Sequence, residues 1–497
     1  MNIAAIVEGH PDVAPALVSR GHVTTYAELR RQVGELRGGL TRLGLSPGDR
    51  VAIVSANNWF FVVSYLAVVG VGAVAVPLNP ASPTRELARE LGVVGAKVAI
   101  IGPTGRPAAE ALDRDALGVE HVLAPERVGV EGAEPLESLF PGPSAPIVER
   151  ADDDLAVLIF TAGTAGSPKA AMLTHGNLRS NLEQIQEHPG RAIKADDVSL
   201  GVLPLFHIFG LNVVLGLSLY AGASIVLVER FDPVAALETI GDHHISVVAG
   251  APPMFTGWLG LPPGHGDELR QIRLAITGAA PMTAEAVEAF GQRFGVTIHE
   301  GYGLTEASPA VTSSVAAGPV KPGSIGVPLP GVEVRLVDTD GEDVLAGDAG
   351  EIWVRGPNVF VGYWDSPDAT AAALSPEGWL RTGDIAVADD DGWLWIVDRA
   401  KDVIIVSGFN VYPAEVEEAL AEHPGVADVA VVGVAHPHTG EAIRAYVVAV
   451  PGHVLEEDEL IEFCNTRLAR YKCPTKITFV EELPRGVAGK VLRRALR

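Results

Sequence analysis

Cysteine is almost missing from this chain: Cys464 and Cys473 are the only two in 497 residues. A disulfide framework is therefore excluded, and neither the thiols nor the 14 histidines fall at zinc-like spacing. A reducing cytosol is the simplest setting. Positive charge is also scarce, with 37 Lys and Arg against 62 Asp and Glu and a net charge of −25. Such a surface repels phosphate backbones, which argues against general nucleic-acid binding. The opening "MNIAAIVEGHPDVAPAL" lacks a basic segment followed by an apolar core, so a signal peptide is not expected.

Two long stretches, residues 59–77 and 201–228, contain no Asp, Glu, Lys or Arg. Length alone would admit a membrane span. Each, however, breaks at glycines or an Ala-Gly-Ala turn into a helical part and then a β-branched part, "AVAVP" or "SIVLV". A buried helix followed by a buried parallel strand accounts for this pattern, so no spanning helix is expected. Peripheral contact with a membrane surface stays open.

What remains is an ordinary globular composition, 47% hydrophobic and 20% charged, on a chain long enough for two or more domains. Thr25 and Glu28 have capping-box spacing, and Leu29, Val33, Leu36, Leu40 and Leu43 follow at helical intervals. Helix, turn and strand then alternate to about residue 300, the pattern of sheets covered by helices. The helix–Gly–Ala–strand echo near 65–76 and 215–228 suggests two similar α/β subdomains. From about 323 the text changes to short strands and turns, a small β-rich subdomain. In it "ADDDGW", Asp389 to Asp391, reads as a solvated hairpin turn rather than a metal site. After Lys401 a smaller α+β unit begins, with a helix at 413–421, strands at 426–434 and 442–450, a helix at 455–469 and a strand at 476–483. The expected organisation is a large α/β domain at 1–398, a junction at 399–402 and a small α+β domain at 403–497.

The stretch "IFTAGTAGSPKAAMLTH" (159–175) has the small residues, hydroxyls and lysine of a phosphate cradle, read here as a turn between a strand and a helix. It is not a Walker loop, because Pro168 rather than glycine precedes Lys169. "GVAGKVL" (486–492) fails the same pattern, since Pro484 stands where the first glycine belongs. In order along the chain come "FTAGTAGSPKAAMLTH", "LPLFHIFG", "ITGAAPM", "EGYGLTE", "WLRTGDIA", "DRAKDVIIVSGFNVYPAEVE" and "PRGVAGKVLRR". This series resembles the adenylate-forming superfamily of acyl-CoA synthetases, luciferases and peptide-synthetase adenylation domains, and is most similar to a bacterial fatty-acid–CoA ligase. The resemblance implies a mobile C-terminal lid and two half-reactions. A carboxylate attacks the α-phosphate of ATP, giving acyl-AMP and pyrophosphate; the CoA thiol then displaces AMP.

The same resemblance implies roles for individual residues. Lys490 would bridge the substrate carboxylate and the α-phosphate, and Glu306 would hold Mg²⁺, a hard oxygen donor for a hard cation. Thr305 would contact phosphate. Thr161, Gly163, Thr164, Gly166 and Lys169 would wrap the nucleotide phosphates. Gly278, Ala279 and Ala280 would admit the purine, Tyr302 would stack on it, and Glu300, Gly301 and Gly303 belong to the same motif. Asp384 and Arg399 would take the ribose. Lys401 matches the hinge, and Ser407, Gly408, Phe409 and Asn410 the face presented to CoA.

His207 is expected to gate an acyl channel lined by Phe209, Leu211, Asn212, Ala307, Pro309 and Val311. That lining is mainly apolar, and 201–228 offers no carboxylate to pair a substrate ammonium. A medium- or long-chain fatty acid is therefore the leading expectation and an aryl acid the alternative. Delivery to a carrier-protein thiol and a non-catalytic binding protein are the other rivals. One departure from the superfamily pattern stands out: Ala162, Ala165 and Ala170 replace Ser, Thr and Gly in the phosphate loop.

Overall fold

Thr25 opens the first long helix as its spacing demands. Its hydroxyl accepts the N–H of Glu28, the Glu28 carboxylate accepts the N–H of Thr25, and Tyr26–Arg42 follows with Leu29, Val33, Leu36 and Leu40 buried. The computed structural model describes the chain except residues 111, 162–168, 188–192, 281, 316–319, 400–401, 403, 407–408, 412, 437–439, 469–471 and 486–490. It divides into two compact units, 1–333 with 354–380, and 334–353 with 381–497.

The first unit holds two sheets. One has seven strands in the spatial order Glu134–Pro135, His121–Ala124, Val98–Ile101, Arg50–Val54, Val74–Leu78, Leu155–Thr161, Lys169–Thr174. Its pairs are parallel except the last. The other has nine, from Val327–Pro328 through Ala310–Ser313, Ile298–Gly303, Leu274–Thr277, Val247–Gly250, Val198–Gly201, Ser224–Leu227 and Pro15–Ser19 to His22–Thr25. Its centre is parallel and its outer pairs are antiparallel.

The charge-free runs resolve as expected. Residues Trp59–Gly70 form a buried helix, Gly72 turns the chain at φ +81°, and Val74–Leu78 is a buried strand. The second run repeats the motif: a π-helical stretch Phe209–Gly216 and a helix Leu217–Tyr220 lead to Gly222 at φ +75° and the strand Ser224–Leu227. Among the described residues no helix is long and apolar enough to cross a membrane.

The expected turn between strand and helix at 159–175 is corrected. Leu155–Thr161 and Lys169–Thr174 are antiparallel neighbours with Thr161 opposite Lys169, so the phosphate-loop motif connects two strands. The helix starts only at His175, where Thr174 and Asn177 make a second capping box. Ala170 is fully buried in the apolar core between Phe160 and its neighbours, so its methyl group packs inward.

In the second unit the helix Pro413–Ala421 packs with Glu457–Asn465 on a five-stranded sheet that includes the long hairpin Val426–His436 and Gly440–Ala449. The second helix is shorter than its predicted span of 455–469. A four-stranded sheet, Glu333–Val337, Gly350–Arg355, Leu380–Ala388 and Leu394–Arg399, forms the β-rich part. Asp389 turns its last hairpin by accepting the N–H groups of Asp391 and Trp393, and no carboxylate cluster suited to a metal exists among the described residues.

Candidate active site

Parallel strands gather loop residues at their C-terminal ends, and the nine-stranded sheet does this with very small ones. Thr277 pairs with Glu300, so "TGAA" and "EGYG" leave the sheet side by side. Gly278 is buried, and a Cβ there would meet the Gly301 carbonyl oxygen at 3.3 Å and the Phe209 ring at 3.3–3.4 Å. Ala279 sits at φ +70°, and Ala280 is half-buried. Gly301, Tyr302 and Gly303 then pair backwards with Ser313, Thr312 and Ala310. Gly303 has no room for a side chain, since a Cβ would lie 2.1 Å from the Pro309 carbonyl oxygen. Glu300 is 5% exposed. Burial pushes its carboxyl up to about 7, against the opposing pull of the Met282 and Gly323 N–H groups.

Thr305 begins a single tight turn, Thr305–Ala307, that presents Glu306. A returning segment grips that turn. The Phe360 N–H donates to the Glu306 carbonyl at 2.8 Å, Asn358 Nδ2 donates to the Ala307 carbonyl at 2.9 Å, and the Tyr363 hydroxyl donates to Glu306 Oε1 at 2.6 Å. Burial first, and the Glu306 carboxylate second, raise the Tyr363 phenol far above its ordinary range. The same segment docks as an extra strand on the phosphate-loop hairpin: Met172 N–H donates to Gly362 O at 2.9 Å and Trp364 N–H to Ala170 O at 2.8 Å. Lys169, which closes the loop, holds its ammonium 5.1 Å from the centre of the Tyr363 ring. Thr161, at the other end of the loop, donates its hydroxyl to the Lys169 carbonyl at 3.4 Å. The two sheets thus deliver a cation and a carboxylate to one aromatic side chain.

The expected acyl-channel residues separate into two groups. Phe209 and His207 lie at the start of the π-helical stretch, a local widening frequent at functional sites. His207 Nε2 is buried with no partner among the described residues, and burial lowers the imidazole's affinity for a proton. Leu211, Ala307, Pro309 and Val311 are buried. Asn212 is buried too, and its carboxamide donates to the Leu178 carbonyl at 3.1 Å and the Ser308 carbonyl at 2.8 Å. That commitment makes Asn212 a tie between the helix His175–Gln186 and the turn after Glu306.

In the second unit Asp384 is 6% exposed on Leu380–Ala388, next to Gly383, whose N–H donates to Glu351 at 2.9 Å. Asp384 and Arg399 are register partners on neighbouring antiparallel strands. Phe409 and Asn410 lie on the strand Phe409–Val411. Gly163, Thr164, Gly166, Lys401, Ser407, Gly408 and Lys490 lie outside the described residues, as do Ala162 and Ala165.

Comparison with known proteins decides the family. The AMP-binding enzyme family matches residues 3–364, and the AMP-binding enzyme C-terminal domain matches residues 415–490. The chain belongs to the AMP-binding enzyme family, as an AMP-forming acid–CoA ligase. It is 38% identical over 488 residues to a feruloyl-CoA synthase of Amycolatopsis sp, spanning 97% of this chain and 95% of that protein. It is 35% identical over 521 residues to the long-chain-fatty-acid–CoA ligase of Salmonella typhimurium, spanning 97% and 91%. Among solved structures, ATP-bound MatB from Rhodopseudomonas palustris superimposes with a TM-score of 0.92 at 34% identity over 100% of this chain and 98% of that one. The anthranilate CoA ligase AuaEII in complex with anthranoyl-AMP gives 0.90 at 27% identity over 100% and 96%.

Adenylate-forming CoA ligases use ATP, Mg²⁺ and CoA, and the donor at Glu306 suits the metal. Tyr363 occupies one carboxylate oxygen, while the other meets no hydrogen-bond donor among the described residues, leaving a hard, half-buried oxygen. Sequence reasoning missed Tyr363. It lies 57 positions from Glu306, and the aromatics of "FVGYWD" carry no periodicity that would single it out.

Proposed function

We propose that this ligase activates a hydrophobic monocarboxylic acid as its acyl-adenylate and passes the acyl group to CoA. The observation that carries this reading is the Lys169–Tyr363–Glu306 constellation beside the side-chain-free strand ends at Gly278 and Gly303. It offers a cation and a metal-binding carboxylate where the backbone permits close approach of a nucleotide.

In the first half-reaction a carboxylate oxygen of the acid forms a bond to the α-phosphorus and pyrophosphate departs. Glu306 would hold Mg²⁺, which when bound supplies charge neutralisation at the phosphates. Lys169, Thr161, Thr164 and the backbone of Gly163 and Gly166 orient the phosphates, with Thr305 beside them. Gly278, Ala279, Ala280, Glu300, Gly301 and Tyr302 take the base, and Asp384 with Arg399 the ribose. Lys490 draws the acid and the α-phosphate together. In the second half-reaction the CoA sulfur attacks the acyl carbon, AMP leaves and the thiol proton passes to solvent. Rotation about Lys401, within 399–402, exchanges Lys490 for the face carrying Ser407, Gly408, Phe409 and Asn410. The buried thiols of Cys464 and Cys473 support a cytoplasmic setting.

A fatty acid is the first substrate reading, supported by the neutral, apolar surroundings of His207. An aryl acid is the second. The Phe209 ring lying against Gly278 suits a flat acyl group, and the similarity to feruloyl- and anthranilate-CoA ligases points the same way. Pyrophosphate release measured across alkanoic, benzoic and hydroxycinnamic acids decides between them, with the thioester followed by mass spectrometry. Lys490→Ala should abolish pyrophosphate release with every acid; undiminished release would overturn the proposed chemistry.

A further inference from the structure

We infer that Tyr363 is a positioning residue, whose hydroxyl aims the Glu306 carboxylate while its ring keeps Lys169 from pairing with that carboxylate. This rests on the reading of Glu306 as the Mg²⁺ ligand. The hydroxyl donates at 2.6 Å to Oε1, so one oxygen is tethered and the other is the one left for a cation. The backbone of the same segment also holds Glu306, through the Phe360 N–H at 2.8 Å, and Phe360 packs edge-on against Tyr363 with ring centres 4.9 Å apart. Side chain and main chain of Glu306 are thereby fixed by two residues three positions apart.

The face of the ring carries the second part of the role. Lys169 Nζ stands over it at 5.1 Å, while Glu306 is engaged at its phenolic edge. Opposite charges that share one aromatic partner in a half-buried site attract more strongly than they would in water. A direct Lys169–Glu306 pair would cancel the cation meant for the phosphates and occupy the carboxylate meant for the metal. The aromatic ring separates them while offering each a favourable contact.

Mn²⁺ serves as the probe, bound to the full chain together with a non-cleavable α,β-methylene analogue of ATP and read by electron paramagnetic resonance. Tyr363→Phe keeps the ring, its contact with Lys169 and its packing on Phe360, and thermal melting checks that the fold is retained. The dissociation constant for Mn²⁺ should rise by roughly ten-fold, the scale of lost support behind a metal ligand. In turnover kcat should fall, KM for the carboxylic acid should hold, and added Mg²⁺ should restore part of the rate. Glu306→Gln, measured in parallel, should also weaken Mn²⁺, and adding Tyr363→Phe to it should cost nothing further. Weakening by Glu306→Gln with Mn²⁺ affinity unchanged in Tyr363→Phe would overturn the role of Tyr363 and leave Glu306 as the ligand. No change in either variant would overturn both.

Discussion

The backbone N–H of Ile3 donates to His175 Nδ1 at 3.0 Å, joining two residues 172 positions apart. His175 is wholly buried at the start of the helix that follows the phosphate-loop hairpin, so the N-terminal segment is fastened through a neutral imidazole. Burial, then Arg150, lowers its pKa to about 4. The ring accepts the Ile3 N–H only while Nδ1 carries no proton.

Because this pKa lies below the ordinary histidine value, the stabilisation is fully present above about pH 6.5 and is lost as pH falls toward 4, by up to about 3 kcal/mol. Denaturant unfolding at pH 7 and pH 4.5 should therefore show a steeper loss in wild type than in His175→Gln. The variant should be the less stable of the two at pH 7. Parallel pH slopes would refute the prediction.

Glu300 carries the opposite sign. Its folded pKa of about 7 lies above the ordinary 4.5, so the folded state binds the proton more tightly and stability drops as pH rises through that window. Glu300→Gln should be more stable than wild type at pH 8, by on the order of 2–3 kcal/mol, and close to it at pH 4. Unfolding curves at the two pH values measure this directly.

Phe209 should set the shape of acid accepted, since its ring rests against Gly278. Phe209→Ala opens that seat and should shift the ratio of kcat/KM for bulky over small acids by on the order of ten-fold. Gly278→Ala, whose new methyl would press on both Phe209 and the Gly301 carbonyl, should lower kcat/KM for every acid. Equal selectivity in Phe209→Ala and wild type would remove Phe209 from the acyl site.

Ala162 and Ala165 stand where the superfamily carries hydroxyls. Ala162→Ser with Ala165→Thr should lower KM for ATP, each regained hydrogen bond to phosphate contributing about 1–3 kcal/mol at most. Steady-state kinetics with ATP varied would test it; an unchanged KM would count against a role for these hydroxyls.

The parts of the fold that were legible from sequence are those whose signals are local. The Thr25 capping box, the helix Pro413–Ala421, the Asp389 turn and the break within each charge-free run all follow from residues a few positions apart. The strand Lys169–Thr174 was not legible, because "KAAMLT" has little β-propensity of its own. It is a strand because Leu155–Thr161 on one side and Gly362 and Trp364 on the other satisfy its backbone. The helix expected to reach 469 ends at Asn465, where the N–H groups of Arg467 and Leu468 turn back to the Cys464 carbonyl. The motif residues of the candidate site could be enumerated beforehand. Their support could not: Tyr363 under Glu306 and Asn212 under Ser308 arise from chain crossings with no short-range trace.

Thr161 and Lys169 stand opposite each other at the mouth of a hairpin, so residues 162–168 leave and rejoin the protein through one narrow doorway. Changes of length or composition between those doorposts should therefore leave the register of the two flanking strands in place. In the proposed reading this hairpin separates nucleotide affinity from fold, so the stretch that tunes the one can vary while the framework that carries it stays as it was.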